Sequence, residues 1–164
     1  MTQNINLNPF RRQNAAASFH AQSGMASADT VANGAYAAGD VVGGRLAFLG
    51  AGGHSENGIL MGLTLTDFGA VGGQVDVFLY NQEPTVISDN AAFTESEADA
   101  LKRIGMVSIA SADWVGAGTG VKTVSKEGLS IPFVGPNLYA YIVARGTPSY
   151  SSDTILAVVN TFHE

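Results

Sequence analysis

The sequence predicts an all-β protein, an antiparallel sandwich or barrel with one short helix and an extended N-terminal arm. After about residue 36, apolar and polar residues alternate over many short runs, as in strands that bury one face. About eight such runs are separated by Gly, Pro, Asn and Asp, which favour turns. The regular alternation of strands and helices that a parallel sheet requires is missing.

The amino-acid composition gives further constraints on what kind of protein this is. The chain has 164 residues, enough for one domain that buries its own core. It contains no Cys, which excludes disulfides and thiolate chemistry. Charged residues make up only 13%, about half the usual share. Either Ser, Thr, Asn and Gly keep such a surface in solution, or partners cover it.

The net charge of -6 is unevenly distributed. Residues 1–28 contain two Arg and no acid, whereas the remaining 136 residues contain 14 acids and six bases. An acidic body argues against nucleic-acid binding, which needs clustered Lys and Arg. No apolar run approaches about 18 residues, so we expect no transmembrane helix. The chain start lacks an apolar signal-peptide core, so we expect a protein made and used without secretion.

Residues 1–36 are predicted to be the arm, and residues 37–164 the sandwich domain. The arm is rich in Asn, Gln, Ala and Ser, a composition that buries too little apolar surface to fold alone. One interpretation is a terminus without fixed structure, and the other is an arm that becomes ordered against a neighbour. At about 3.3 Å per residue the arm could span on the order of 100 Å, which would be useful in a large assembly.

The first three predicted strands show the alternation most clearly. Each is expected to bury one set of side chains: Leu46 and Phe48; Ile59, Met61, Leu63 and Leu65; and Val75, Val77 and Leu79. The further candidate strands are GMVSIAS, GVKTVSK, LSIPFV, NLYAYIVAR and DTILAVVNTF. Their number and spacing complete the prediction of a sandwich or barrel.

A polar connection follows the third strand, in the stretch FLYNQEPTVISDNAAF. Pro84 is expected to end the strand because it cannot donate to a sheet ladder. Asp89 and Asn90 suit an Asx-type turn, and Phe93 is expected to pack the connection against the core. Oxygen-bearing side chains cluster here, so a calcium site near Asp89 stays open as an alternative. The regular acid spacing of a calcium-binding loop is nevertheless missing.

One helix is predicted over TESEADALKRIG, residues 94–105. Thr94 and Glu97 can form a capping box, and Gly105 can end the helix. Acids lie near its start and bases near its end, which matches the helix dipole. The expected buried stripe consists of Ala98, Leu101 and Ile104.

The sequence offers no convincing catalytic constellation, and we predict that the protein is not an enzyme. His20, His54 and His163 lack the spacing of a helical metal site, so we expect neither a metal nor a cofactor. The stretch GAGGHSENG is interpreted as a hairpin loop that makes contacts and not as a catalytic triad. Neither this stretch nor GAGTGVKT matches a P-loop.

Aromatic residues leave two interpretations open. Trp114 could form a sugar-binding platform with the tyrosines Tyr36, Tyr80, Tyr139, Tyr141 and Tyr150. Tyr139 and Tyr141 also share one face of a predicted strand whose other face is apolar. That pattern favours a strand that is central to a sandwich or faces a neighbouring subunit.

Several segments together resemble a known family. They are AYAAGDVVGGRLAF, GILMGLTLTD, QVDVFLYNQEPTVISDNAAFTESEADALKRIG and LYAYIVARGTPSYSSDTILAVVN, within about residues 36–161. Over this range the chain resembles the capsid decoration, or cement, proteins of tailed bacteriophages. The matching motifs are structural signatures without catalytic content, and the arm resembles the family only in kind.

The resemblance implies a jelly-roll-like β-sandwich that is made in the host cytoplasm and sits on the outer surface of the virion capsid. Its expected partners are the major capsid protein and further copies of itself, in a trimer or alternatively a dimer. It would hold neighbouring capsid subunits together. The alternatives are a carbohydrate-binding module of a head fibre or tail protein, and a small hydrolase on a β-sandwich.

Contact residues are predicted from chemistry alone. Phe10, Arg11, Arg12 and Phe19 are the expected arm anchors, because Arg pairs with carboxylates in a forked geometry and aromatic rings fill pockets. Tyr139 and Tyr141 are the candidate capsid or subunit contacts on the body.

Overall fold

Strands dominate the structure, a computed structural model that describes residues 22–27, 34–52, 57–150 and 155–162. These residues contain a one-turn helix, α1 (Glu97–Ala100), and a 3₁₀ turn over Ser111–Asp113. The strands are β1 (Gln22–Ser27), β2 (Gly34–Ala35), β3 (Val41–Phe48), β4 (Asn57–Asp67), β5 (Val75–Tyr80), β6 (Arg103–Ile109), β7 (Val115–Gly118), β8 (Val121–Val134), β9 (Leu138–Ala144), β10 (Ser149–Tyr150) and β11 (Ile155–Phe162).

Two antiparallel sheets form the sandwich. One sheet has the order β1-β11-β4-β8-β7 and the other β3-β9-β5-β6, with a small β2-β10 ladder beside them. Without β7 and the small ladder, the eight remaining strands have the chain order 1-8-3-6 in one sheet and 2-7-4-5 in the other. This interleaving of eight strands over two sheets is the order of a jelly roll. The predicted all-β sandwich class is confirmed.

The main core lies between the two sheets and follows the alternation along each strand. On β11, for example, Ile155, Ala157 and Val159 are buried, whereas the residues between them are half-buried. The inward side chains of β3, β5 and β9 meet them from the opposite sheet. Apolar burial of this kind is the main stabilising contribution to such a fold.

A bulge changes the face of β4. The register of β4 shifts between Leu60 and Gly62 against β8, and β11 shows a matching shift. An inserted residue reverses the alternation on one side of a bulge. Leu60 is therefore buried, while Ile59 and Met61 are 37% and 39% exposed. The prediction that these two share the buried face of Leu63 and Leu65 is wrong.

Part of the predicted arm, residues 1–36, belongs to the sheet. β1 pairs with β11 from Gln22 opposite Thr161 to Ser27 opposite Leu156. Tyr36 is also buried in the main core. An edge strand pairs through its backbone groups, so QSGMAS joins the sheet without an alternating pattern. The four predicted arm anchors, Phe10, Arg11, Arg12 and Phe19, lie outside the described residues.

The helix is much shorter than residues 94–105. α1 begins after Ser96, whose hydroxyl accepts a hydrogen bond from the Asp99 amide, so Thr94 is not the cap. Leu101, expected in the buried stripe, is 84% exposed. The chain enters β6 at Arg103 and pairs there with β5. Sheet pairing has overridden a local helix preference, as tertiary context often does.

The interpretation of GAGGHSENG as a hairpin is also wrong. β3 and β4, which this stretch connects, lie in different sheets. The connection therefore crosses from one layer of the sandwich to the other. His54 in its middle lies outside the described residues.

Candidate functional site

The two sheets differ in whether another segment of the described chain covers their outer face. Residues 81–102, which connect β5 to β6 and which we call the strap, lie over the outer face of the four-stranded sheet. The Phe93 ring centroid lies 4.6 Å from that of Phe78 and 5.8 Å from that of Tyr141. A second apolar cluster results, made of Val41, Phe78, Tyr80, Tyr141 and Val143 with Ile87, Phe93 and Tyr139 packed against it.

Tyr141 ties the strap to the sheet. Its hydroxyl donates to the Thr85 carbonyl at 2.6 Å and accepts from the Ile87 amide at 3.0 Å. Burial raises the pKa of this phenol. Tyr141 is only 1% exposed, so its predicted role as a surface contact is corrected to a core role. Tyr139 is half-buried, with the Arg45 guanidinium 5.8 Å from its ring centroid.

The acidic groups of the strap have structural partners. Asp89 accepts hydrogen bonds from the Tyr36 hydroxyl at 2.8 Å and from the Gly43 amide at 2.6 Å. It fixes the strap to the start of β3, and its partners are donors. Among the described residues, no group of three or more His, Cys, Asp and Glu side chains is placed to hold a metal ion.

The end of the strap is held by two further carboxylates. Glu95 accepts from the Tyr80 hydroxyl at 2.8 Å and from Arg103 at 2.9 Å. Asp99 accepts from Lys102 at 2.9 Å and from the Thr85 amide at 3.1 Å. The hydrogen bond from Lys102, with those from Thr85 and Ser96, holds the pKa of Asp99 well below its usual value. Burial and the hydrogen bond to Glu95 raise the pKa of Tyr80.

The outer face of the five-stranded sheet, by contrast, has no such cover among the described residues. We call this surface the open face. Cross-strand pairing assigns its residues, since directly paired residues in antiparallel strands point to the same side. The Thr64 and Ser125 hydroxyls, for example, lie 2.9 Å apart on it. Its apolar members are Ile59, Val115, Pro132, Val134, Leu156, Val158 and Phe162, and its hydroxyl members are Thr64, Thr66, Thr123 and Ser125. Met61 lies at the bulge outside the paired register and is assigned to this face because it is 39% exposed.

One charged side chain of the described residues lies on the open face. Glu127 is paired with Gly62 at the bulge, two positions from Ser125, and is exposed. Its carboxylate lies against the Gly62 α-carbon, in space that a side chain at position 62 would occupy. Among the described residues, Glu127 makes no ion pair. The open face therefore combines apolar ends, a hydroxyl-rich centre and a single carboxylate.

A shallow depression of about 370 Å³ lies at one end of the sandwich. Its polar lining is Gln74, Ser111, Lys122 and Thr147. Lys122 donates to the Val71 carbonyl at 3.1 Å and so helps to hold the loop that forms the wall. These lining side chains include no carboxylate or His that could act with Lys122 as an acid–base pair.

The proposed aromatic platform is not present on the surface. Trp114 is 8% exposed, and its indole nitrogen donates to the Gly73 carbonyl at 2.9 Å. Of the five tyrosines, only Tyr139 is more than 2% exposed; the buried ones are Tyr36, Tyr80, Tyr141 and Tyr150. The feature that favoured the carbohydrate-binding alternative is therefore a set of core residues.

The sequence analysis missed the open face for an identifiable reason. GVKTVSK and LSIPFV were treated as two strands, which placed Glu127 and Gly128 in a turn between them. The structure joins them in one 14-residue strand, β8, with Glu127 inside it. The available signal was the row of hydroxyls at Thr123 and Ser125, which continues in register to position 127.

No model of a known protein family matches the chain, and no curated protein matches it. The resemblance to decoration proteins therefore stays a prediction. Within the described part of the chain, none of the helical segments has the length and apolar character needed to cross a membrane.

Proposed function

We propose that this protein is a non-enzymatic virion protein that binds the outside of a tailed-phage head and bridges major capsid protein subunits. The observation that carries the proposal is the open face. In the described part of the chain, the sandwich places eight apolar and four hydroxyl side chains on one surface with a single charge. Groups of exposed apolar side chains next to polar ones, as at the ends of this face, are typical of a site of association.

The area of the open face is smaller than a stable interface requires, so we expect a second contact beside it. Four strands about 4.8 Å apart, with about eight residues at 3.4 Å each, cover roughly 500 Å² in projection. A stable interface needs about 800 Å² on each partner. The N-terminal segment supplies the remainder in this proposal, as a tethered second contact that raises the effective concentration at the shell.

The chemistry of the face suits a static contact. Burial of its apolar ends contributes about 25 cal/mol for each Å² removed from water. The hydroxyls in its centre can exchange hydrogen bonds with a partner without the desolvation cost of a charge. Such a contact resists separation of the subunits that it bridges and requires no chemical step.

A binding experiment with matched variants tests the proposal. Purified protein is mixed with heads assembled without it, and the bound fraction is measured by co-sedimentation. Val134→Glu and Met61→Glu place a charge on the open face at exposed positions, and each is expected to weaken binding at least about tenfold. Val86→Glu on the strap is the control, because Val86 is 67% exposed on the other side of the sandwich.

The outcomes separate the candidates. Loss of binding in both open-face variants with an unchanged control supports the proposal. Equal binding by all variants, or no binding of the unaltered protein to heads, overturns it. Binding of the unaltered protein to a glycan array but not to heads would favour the carbohydrate-binding module instead.

A further inference from the structure

The open face and the start of the chain meet at one end of the sheet. β1 begins at Gln22, which pairs with Thr161; Thr161 in turn lies opposite Leu60. At that end of the face lie Ile59, Pro132, Val134 and Phe162. The 21 residues before Gln22 therefore join the sheet beside the most apolar part of the open face.

The charges of the two parts are complementary. Residues 1–21 contain Arg11 and Arg12 and no acid. The open face contains one charged side chain, Glu127, which makes no ion pair among the described residues. Its carboxylate lies against Gly62 and is exposed, so a forked guanidinium can approach it. Apolar residues in the same segment can cover the apolar end: Ile5, Leu7, Phe10 and Phe19.

The N-terminal segment is long enough for its arginines to reach Glu127 of the same chain. Strand β8 lies three strand spacings from β1, about 14 Å at 4.8 Å each. Glu127 is near the level of Gln22 along the strands, since its partner Gly62 pairs with Asn160, next to Thr161. Arg12 lies ten positions before Gln22, and an extended chain can span about 33 Å over that distance.

We propose that residues 1–21 of the same chain dock across the open face in the free protein, with the Arg11–Arg12 pair on the Glu127 carboxylate. The same chain is the favoured source because a short tether gives an effective concentration of the order of millimolar. A second copy at micromolar concentration competes poorly with that. This docking does not depend on the proposed function. If both hold, the segment occupies the face until the capsid shell replaces it.

The absence of Cys makes a distance measurement direct, because introduced cysteines are labelled uniquely. Spin labels at Gln13→Cys and Ser125→Cys report the segment against the open face, and labels at Gln13→Cys and Val86→Cys report it against the strap. Pulsed electron spin resonance on the full chain is expected to give a short, narrow distance distribution for the first pair. The second pair is expected to give a longer distribution, because the sandwich lies between its two labels.

Charge variants test the assigned contact. Glu127→Gln is expected to lower the ratio of docked to undocked segment about two- to fivefold, the effect of one exposed ion pair. Glu97→Gln is the matched control, since it removes an exposed carboxylate from α1 and should leave the distribution unchanged. The combination of Glu127→Lys with Arg11→Glu and Arg12→Glu should restore the docking that Glu127→Lys alone weakens.

Three results would overturn the proposal. One is a broad Gln13–Ser125 distribution equal to that in denaturant. Another is dipolar coupling in a mixture of two singly labelled proteins, which would assign the segment to a second copy. The third is an equal effect of Glu127→Gln and Glu97→Gln. A docked segment in a protein that ignores phage heads would refute only the proposed function.

Discussion

The two outer faces of this sandwich both carry apolar side chains, but they differ in how far those side chains are buried. The four-stranded sheet carries aromatic and aliphatic side chains outward, and its own strap buries them. The five-stranded sheet also carries apolar residues outward, but at its described positions they remain exposed or half-buried. The first face contributes to folding, whereas the described residues leave the second face uncovered. The presence of a covering segment, and not hydrophobicity alone, separates a core from a contact surface.

The hydrogen bonds differ in the same way. Tyr141, Asp89 and Glu95 exchange hydrogen bonds between strap and sheet, whereas Asp99 accepts hydrogen bonds within the strap. On the open face, the hydroxyl pair of Thr64 and Ser125 bonds within the sheet itself. Polar contacts as well as packing therefore fix the strap on the four-stranded sheet. The hydroxyls of the open face bond only within their own sheet among the described residues.

The largest expected effect is on the strap side of this comparison. Phe78→Ala empties a buried aromatic site between Phe93 and the sheet and should cost about 3–5 kcal/mol of unfolding free energy. Val158→Ala on the open face is the control and should cost less than about 1.5 kcal/mol, because its side chain is half-buried. Chemical denaturation measures both. Similar losses for the two variants would contradict the distinction between the faces.

A smaller effect is expected from the hydroxyl of Tyr141. Tyr141→Phe leaves the Thr85 carbonyl and the Ile87 amide without this partner and should cost about 1–3 kcal/mol. Amide hydrogen exchange should accelerate at Ile87 more than in β11, since the loss is local to the strap. Uniform acceleration over the whole sandwich would show that the strap does not open separately.

Acid should weaken the hydrogen bonds that hold the strap together, because Asp99 accepts them as a carboxylate. The pKa of Asp99 is lower in the folded protein than the value of about 3.9 for an unfolded Asp. A group of this kind stabilises the fold above its unfolded pKa, and the stabilisation is lost as the pH falls toward the folded value. We expect stability to decline below about pH 4, and Asp99→Asn to show a shallower decline. An identical acid profile in the variant would exclude Asp99 as the cause.

The smallest effect on folding is expected at the open face itself. Val134→Glu changes a side chain that is 66% exposed, so unfolding free energy should change by no more than about 0.5 kcal/mol. Thermal unfolding measures this. A large loss of stability would mean that Val134 contributes to the folded body, and the reduced head binding of this variant would then have a folding explanation.

The positions of the strands could be predicted from the sequence more easily than the face that each strand buries. The alternation in ILAVVNTF correctly indicated a strand with one buried face, because adjacent side chains in any strand point in opposite directions. The same reasoning failed at Ile59 and Met61, where a bulge reverses the alternation. A bulge depends on the partner strand, and the partner cannot be inferred from the local pattern.

The helix and the candidate site failed for related reasons. TESEADALKRIG does contain one helical turn, capped by Ser96 and not by Thr94, but pairing of Arg103–Ile109 with β5 prevents a longer helix. Tyr141 looked like a contact residue because both sides of its strand are apolar. Only the position of the strap, many residues away in sequence, assigned it to the core.

The sequence by itself determined that this chain is an all-β sandwich with little charge and with a basic start joined to an acidic body. These properties follow from composition and from a two-residue period, which are local. The tertiary structure alone decided which strands share a sheet, which outer face the strap covers, and that Glu127 is the one charged side chain of the described residues on the open face. Those outcomes depend on pairing between distant segments, and long-range register leaves no signature in a short stretch of sequence.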